Sequence, residues 1–344
     1  MEEAIVLYPS PPIGHLISMV ELGKLLLTQK PSLSIHILIT TVPYDSGSTA
    51  PYIANVAATI PSIKFHHLPT VTLPSTKTTH HEELAFEVLR LSNPHVREQL
   101  LFISKNYTIH GLVVDFFCCA ALSVAKELNI PGYHFFTSGA GVLAIFLYFP
   151  TIHNTTTKSL KDLKSLLHIP GVPPIPSSDM PIPVLHRDDK AYKYFLDSSS
   201  SFPESAGIVV NTFASLEARA VKTTSEGLCV PNNRTPPIYC IGPLIATEGP
   251  KDDAGTRNGT TLECLTWLDS QPEMKLALPM NESDNGFVSS AEVEERVLGL
   301  MESEEGKLIR ERTIAMKIAA EAALNEGGSS RVALSKLVES WKDK

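Results

Sequence analysis

A parallel α/β fold follows from three features of this 344-residue sequence. Short apolar runs recur along it, stretches with apolar residues at helical spacing separate them, and the runs are apolar throughout rather than alternating with polar residues. Strands of that kind are covered on both faces, as happens when each is followed by a crossover helix in a parallel sheet.

The elements read in order. Ala4 to Tyr8 is a buried-type strand, and Gly14 to Gln29 places Leu16, Met19, Val20, Leu22, Leu25 and Leu26 at helical spacing. Leu33 to Thr40 is a strand, Thr49 to Thr59 a helix and Ile63 to Leu68 a strand. Glu82 to Lys105 is a long helical pattern with an interruption expected at Pro94. Ile109 to Asp115 is a strand, Cys119 to Leu128 a helix, Tyr133 to Phe136 a strand, and a helical run then extends to Phe149. The stretch from 168 to 186 is proline-rich and reads as a loop packed over the surface. A helix beginning at Ala191 to Asp197, a strand at Gly207 to Asn211, a helix at Ser215 to Glu226 and a last strand at Ile238 to Ile241 complete the alternation.

The pattern then changes. The polar, Gly-rich stretch 247–261 fits a linker between a domain at 1–246 and a mostly helical segment at 262–344. Ser289 and Glu292 form a capping-box start for a helix running to Glu302. Lys307 to Leu324 is an Ala-rich helix stopping at Gly327 and Gly328, and Val332 to Trp341 is a further helix. No strand–helix alternation accompanies these helices, so Val293, Val297, Leu300, Ile314, Ile318 and Leu324 have no sheet to cover.

Composition excludes several function classes. Hydrophobic content of 43% and charged content of 19% are those of a globular chain. The formal net charge of -8 and the lack of a Lys/Arg stripe argue against nucleic acid. The acidic start and the short apolar stretch from Gly139 to Pro150 argue against a signal peptide and a membrane span, so the expected compartment is the cytoplasm. The five cysteines form no C-x-x-C, and no His pair stands at zinc spacing, so no metal is expected. Neither G-x-G-x-x-G nor a P-loop is present.

In a parallel sheet, ligands bind beyond the carboxyl ends of the strands. His15 follows the first strand in P-P-I-G-H-L, and Asp115 ends the strand L-V-V-D. An Asp bonded to an imidazole fixes its tautomer and stabilises its charged form, so the two together suggest a general base. Taken singly, His15 could be an idle residue of a helix start, and Asp115 a helix N-cap. Gly14 would let a ligand approach the backbone. Thr137 and Ser138 could bond a sugar hydroxyl or cap the next helix. Phe116, Phe117, Phe146, Tyr148 and Phe195 could line an apolar pocket, although most such aromatics are core. A Ser-His-Asp hydrolase is a rival reading, but it lacks the G-x-S-x-G elbow.

Six segments together resemble the plant UDP-dependent glycosyltransferases of secondary metabolism. They are V-L-Y-P-S-P-P-I-G-H-L near the start, V-V-D-F-F at 113–117, F-F-T-S-G-A at 135–140, G-I-V-V-N-T-F-A-S-L-E at 207–217, Y-C-I-G-P-L at 239–244 and W-L-D-S-Q-P at 267–272. The detail is similar to members that glycosylate phenolics. The resemblance implies a GT-B fold of two Rossmann-like domains, an N-terminal one for the acceptor and a C-terminal one for the donor. It implies that His15 deprotonates an acceptor hydroxyl, that Asp115 orients His15, and that Thr137 touches the donor sugar. Ile13, Gly14, Phe117 and Phe146 match acceptor-pocket positions. The implied reaction transfers a hexose, with glucose expected, from a UDP-sugar to a phenolic hydroxyl with inversion and without a cofactor.

After Pro272 the sequence departs from the family. The donor-binding signature box, with its W-A-P-Q and H-C-G-W-N-S runs, is absent, and the stretch from 273 resembles a region near the end of the donor domain. The expectation is therefore one complete Rossmann-like domain with a truncated remnant of the second. Transfer should be impaired, leaving a protein that binds a small phenolic or associates with a full-length relative, or a splice product that folds poorly.

Overall fold

A computed structural model describes residues 1–42, 49–73, 80–246 and 287–341. In chain order the first part comprises β1 (Glu2–Tyr8), α1 (Ile13–Gln29), β2 (Ser34–Thr40), α2 (Ala50–Thr59), β3 (Ile63–Leu68), α3 (His81–Leu91), α4 (Asn93–Ile103), β4 (Tyr107–Asp115), α5 (Ala121–Glu127), β5 (Gly132–Phe136) and α6 (Ala140–Thr155). It continues with a short turn α7 (Leu160–Leu163), β6 (Leu166–Leu167), β7 (Ile175–Pro176), α8 (Lys190–Ser201), β8 (Gly207–Val210), α9 (Ala218–Ser225) and β9 (Ile238–Cys240). After it come α10 (Ser290–Glu302), α11 (Glu304–Leu324) and α12 (Ser329–Glu339).

Seven strands form one sheet in the order β3-β2-β1-β4-β5-β8-β9, all neighbours parallel. The chain runs outward from β1 to β3, returns to the centre at β4 and then runs outward the other way. The β1–β4 pair is therefore the point where strand order reverses, which is where parallel α/β sheets place their ligands. Alternate residues feed opposite faces. Ile5, Leu7, Ile35, Ile37, Val113 and Phe135 pack with α1 and α2, whereas Val6, Tyr8, Leu38, Leu112 and Val114 pack with α4 and α5. A third, aromatic-rich cluster joins α6 and α8 to β8.

Two prolines act differently. Pro94 cannot sit inside a continuous helix without clashing with the preceding turn. The long pattern accordingly breaks into α3 and α4 at Ser92, with Pro94 in the first turn of α4. Pro150 lies inside α6, which continues past Phe149 to Thr155 because buried Phe149 and Ile152 hold both sides of it to the core. The proline-rich stretch carries more order than a bare loop, since β7 pairs with β6 and Ile169, Met180 and Val184 are buried.

By their contacts, residues 323–341 pack with 1–246, and 287–322 form a separate unit. Within the segment 262–344, α12 packs on the sheet unit. Leu334, Leu337, Val338 and Trp341 join the cluster built by α1 and the sheet, and Ser330 Oγ donates to the Gly242 carbonyl oxygen at 2.7 Å. In the separate unit Ser289 Oγ accepts from Glu292 N at 3.2 Å, and α10 buries none of its residues. The linker expected at 247–261, the run at 267–272 and the junction after Pro272 lie outside the described residues.

Candidate active site

β1 ends at Tyr8, and Pro9 to Pro12 turn the chain into α1. Pro12, with φ fixed by its ring and no N–H to satisfy, occupies the N-cap. His15 thus lies in the first turn of a helix that starts from the central strand. Asp115 is the last residue of β4, one step beyond the Tyr8–Val114 pairing. The two residues are 100 apart in sequence and meet at the reversal point, where His15 Nδ1 lies 2.8 Å from Asp115 Oδ2.

A carboxylate can only accept, so Nδ1 carries the hydrogen and the lone pair of neutral His15 is on Nε2. Among the described residues, Nε2 has no hydrogen-bond partner. Asp115 is 1% exposed and the His15 side chain 27%, so one member is sealed and the other open. Burial pulls the His15 pKa down, but the hydrogen bond and charge of Asp115 outweigh it and hold His15 above the ordinary histidine value. Asp115 Oδ1 accepts from Ser10 Oγ at 2.5 Å and from Phe117 N at 3.3 Å. Asp115 therefore serves both readings of the sequence, capping the turn at Phe116–Cys118 and bonding the imidazole.

The serine in this group argues against hydrolysis. It bonds the carboxylate on the side away from His15, whereas a serine nucleophile must bond the free imidazole nitrogen.

The other expected residues take distinct places. The Phe117 ring meets His15 edge-on, centroids 5.8 Å apart, and packs on Phe86 at 4.9 Å. Ile13 is half-buried on the α1–sheet cluster. Gly14 is exposed, and an added Cβ would meet nothing within 4 Å, so protein packing is not what requires glycine there. Phe146 lies deeper, 6% exposed and packed on Phe116 at 4.9 Å and Phe195 at 5.7 Å. Thr137 follows β5 at the same sheet edge, half-buried.

Sequence reasoning passed over Glu217. Its carboxylate accepts from Ala140 N at 2.7 Å, Gly141 N at 2.8 Å and Thr212 Oγ1 at 2.6 Å. It fills the N-terminus of α6 and so fixes the turn that carries Thr137. A lone Glu after a strand and a loop gives no sign in the sequence of the helix it will cap. Ser10 was missed for a similar reason, as its partner is 105 residues away.

Among the described residues no group of three or more His, Cys, Asp or Glu could hold a metal ion, and no helix is long and apolar enough to cross a membrane. Cys118, Cys119, Cys229 and Cys240 are unpaired, and burial pushes Cys119, Cys229 and Cys240 up to about 11. Cys264 lies outside the described residues.

No protein-family model matches the chain. UDP-glycosyltransferase 1 of Pueraria montana var. lobata is 31% identical over 482 positions that take in all of both chains. The chain belongs to the plant UDP-glycosyltransferases. It is also 42% identical over 299 residues to UDP-glycosyltransferase 88B1 of Stevia rebaudiana, with 87% of this chain and 63% of that relative covered. The chain thus spans less than two thirds of that glycosyltransferase. With 344 residues facing 482 aligned positions, 138 positions of the Pueraria alignment have no residue here. In fold the chain resembles Phytolacca americana UGT2 complexed with UDP-2fluoro-glucose and pterostilbene, with a TM-score of 0.82, 23% identity, and 99% of this chain and 100% of that one covered. The fold is of the GT-B type, with one complete Rossmann-like domain and a truncated second.

Proposed function

We propose that this chain is the acceptor-binding, base-bearing part of an inverting UDP-glucosyltransferase and that its transfer activity is severely impaired. The observation that carries the reading is the His15–Asp115 bond at the reversal point of the sheet, with Nε2 unpartnered among the described residues. Residues 1–246 bind the acceptor, 247–261 link, and 262–344 are the donor-domain remnant, with α12 docked on the acceptor part.

The acceptor class is a small phenolic, as suits a wall of Phe117 and Phe86 beside the base and as the pterostilbene of the Phytolacca relative supports. A phenolic O–H placed against His15 passes its proton to Nε2. Asp115, bonded to Nδ1, stabilises the imidazolium that forms. The phenolate oxygen attacks the anomeric carbon, the C–O bond to the sugar forms as the bond to the diphosphate breaks, and UDP leaves with inversion. Thr137 bonds a sugar hydroxyl during this step. No cofactor takes part, because UDP-sugar is a co-substrate.

The sequence lacks the box that holds the nucleotide in this family. Holding two reactants in line is worth roughly 7–11 kcal/mol of barrier, so the loss of donor capture lowers turnover by many orders of magnitude. Cytoplasmic residence is part of the proposal.

A thermal melt titrated with each ligand tests the reading. A ligand binding only the folded state adds about 2.7 kcal/mol at a hundredfold excess over its dissociation constant. Pterostilbene should raise the midpoint, and UDP-glucose should leave it in place. A rise with UDP-glucose, together with glucoside formation, would restore a working transferase.

A further inference from the structure

We infer that Ser10 is a positioning residue of the base, clamping Asp115 so that one carboxylate oxygen stays aimed at His15 while the other is held by donors from the protein. The inference rests on the reading of His15 as the acceptor base and adds a residue to it.

Ser10 is 2% exposed and Asp115 1%, so water is not available to solvate the carboxylate. Among the described residues the charge is held by Ser10 Oγ and Phe117 N on Oδ1 and by His15 Nδ1 on Oδ2. Because the carboxylate cannot donate, the Ser10 hydrogen is committed to it. Its other near partner, Cys118 Sγ, is 3.9 Å away. The bond also crosses the reversal point. Ser10 belongs to the turn that launches α1 and its His15, and Asp115 ends β4, so the bond ties the two parts that must stay in register.

Two consequences follow. Rotation of the Asp115 carboxyl away from His15 would break the Ser10 bond, so the hydroxyl limits that motion. It also draws charge toward Oδ1 and away from Oδ2, which moderates how tightly Asp115 holds the imidazolium. A base that must return its proton after each turnover benefits from that moderation. The other titratable groups that feel Asp115 do not compete. Burial keeps the Cys118 thiol protonated and pushes His134 down to about 3, leaving it neutral.

The test is an NMR titration of the His15 imidazole in the full chain, which needs no donor and no turnover. In Ser10→Ala the His15 midpoint should shift by about 0.5 or more, upward where the lost charge withdrawal dominates and downward where the freed carboxyl turns away from His15. Ser10→Cys keeps a side chain of similar size but donates weakly. It should move the midpoint the same way, and it reads the effect if the alanine variant does not fold. Asp115→Asn serves as the reference and should lower the midpoint. An unmoved His15 in folded Ser10→Ala or Ser10→Cys, with Asp115→Asn lowered, overturns the role of Ser10 alone. An unmoved His15 in Asp115→Asn overturns the base reading and this inference with it.

Discussion

α12 and α10 are helices of similar length with amphipathic sequences, and they meet opposite fates. α12 lays Leu334, Leu337 and Val338 against α1 and the sheet, with Trp341 just beyond it 4% exposed and stacked on His110. α10 leaves Val293 and Val297 each 40% exposed, and α11 leaves Ile314 56% exposed. The difference lies in what each helix meets rather than in its own pattern. An apolar stripe stabilises a helix only through the surface that covers it. The sheet unit supplies that surface for α12, and the described residues supply none comparable for α10.

The largest test of the contrast is Trp341→Ala. Emptying a buried indole site typically costs about 3–5 kcal/mol, so the urea midpoint of the chain should fall markedly. A loss below about 1 kcal/mol would mean that α12 is not part of the cooperative core.

Acid should separate the regions next. Burial lowers His134 to about 3, and burial with the nearby charges of His66 and Lys64 lowers His36 to about 4. A histidine with a depressed folded pKa binds its proton more readily when unfolded, so stability falls as pH drops below about 6.5. His15 works the other way: its raised value adds stability that is present at low pH and lost as pH rises through the folded value. Two deep depressions outweigh it, and between pH 6.5 and 4 the sheet unit should lose at least about 2 kcal/mol. α10 and α11 carry no histidine, so this histidine-linked loss should be absent from them when their helicity is followed by circular dichroism. An equal response in both regions would break the contrast.

Glu217→Gln keeps the shape of the α6 cap and removes its charge. It should cost about 1–2 kcal/mol in the same urea melt, the range for losing a charged helix cap. The smallest effect belongs to Val297→Ala and Ile314→Ala, each expected to change stability by no more than about 0.5 kcal/mol because little is buried there. A larger loss at either position would show that α10 or α11 has a partner surface.

Much of the sheet unit was legible in the sequence. β3 falls on the run expected, Ile63 to Leu68, and the other main strands lie within two residues of their runs at each end. Local chemistry governs these, since β-branched runs and helical spacing act over a few neighbours. The capping Ser289 was legible for the same reason. Continuation of α6 past Pro150 was not, because tertiary contacts of Phe149 and Ile152 override a local breaker. At the site, strand ends pointed to His15 and Asp115 but left their contact open, since it depends on β4 inserting beside β1. Ser10 and Glu217 stayed silent because their bonds join residues far apart in sequence or cap a helix from outside it. For Phe146 the sequence left both a pocket and a core place open, and the structure buries it.

The docking of α12 also changes how the stretch before it should be regarded. With 1–246 and 323–341 in one body, the sequence between them is joined to that body at both ends. The closure entropy of a tether grows only with the logarithm of its length. Adding back the 138 positions that separate this chain from its Pueraria relative would cost the anchored ends only about 1 kcal/mol by that scaling. The anchors are therefore nearly indifferent to how much chain they enclose. A difference of that length between two chains can leave the sheet, the His15–Asp115 pair and the closing helix as they are.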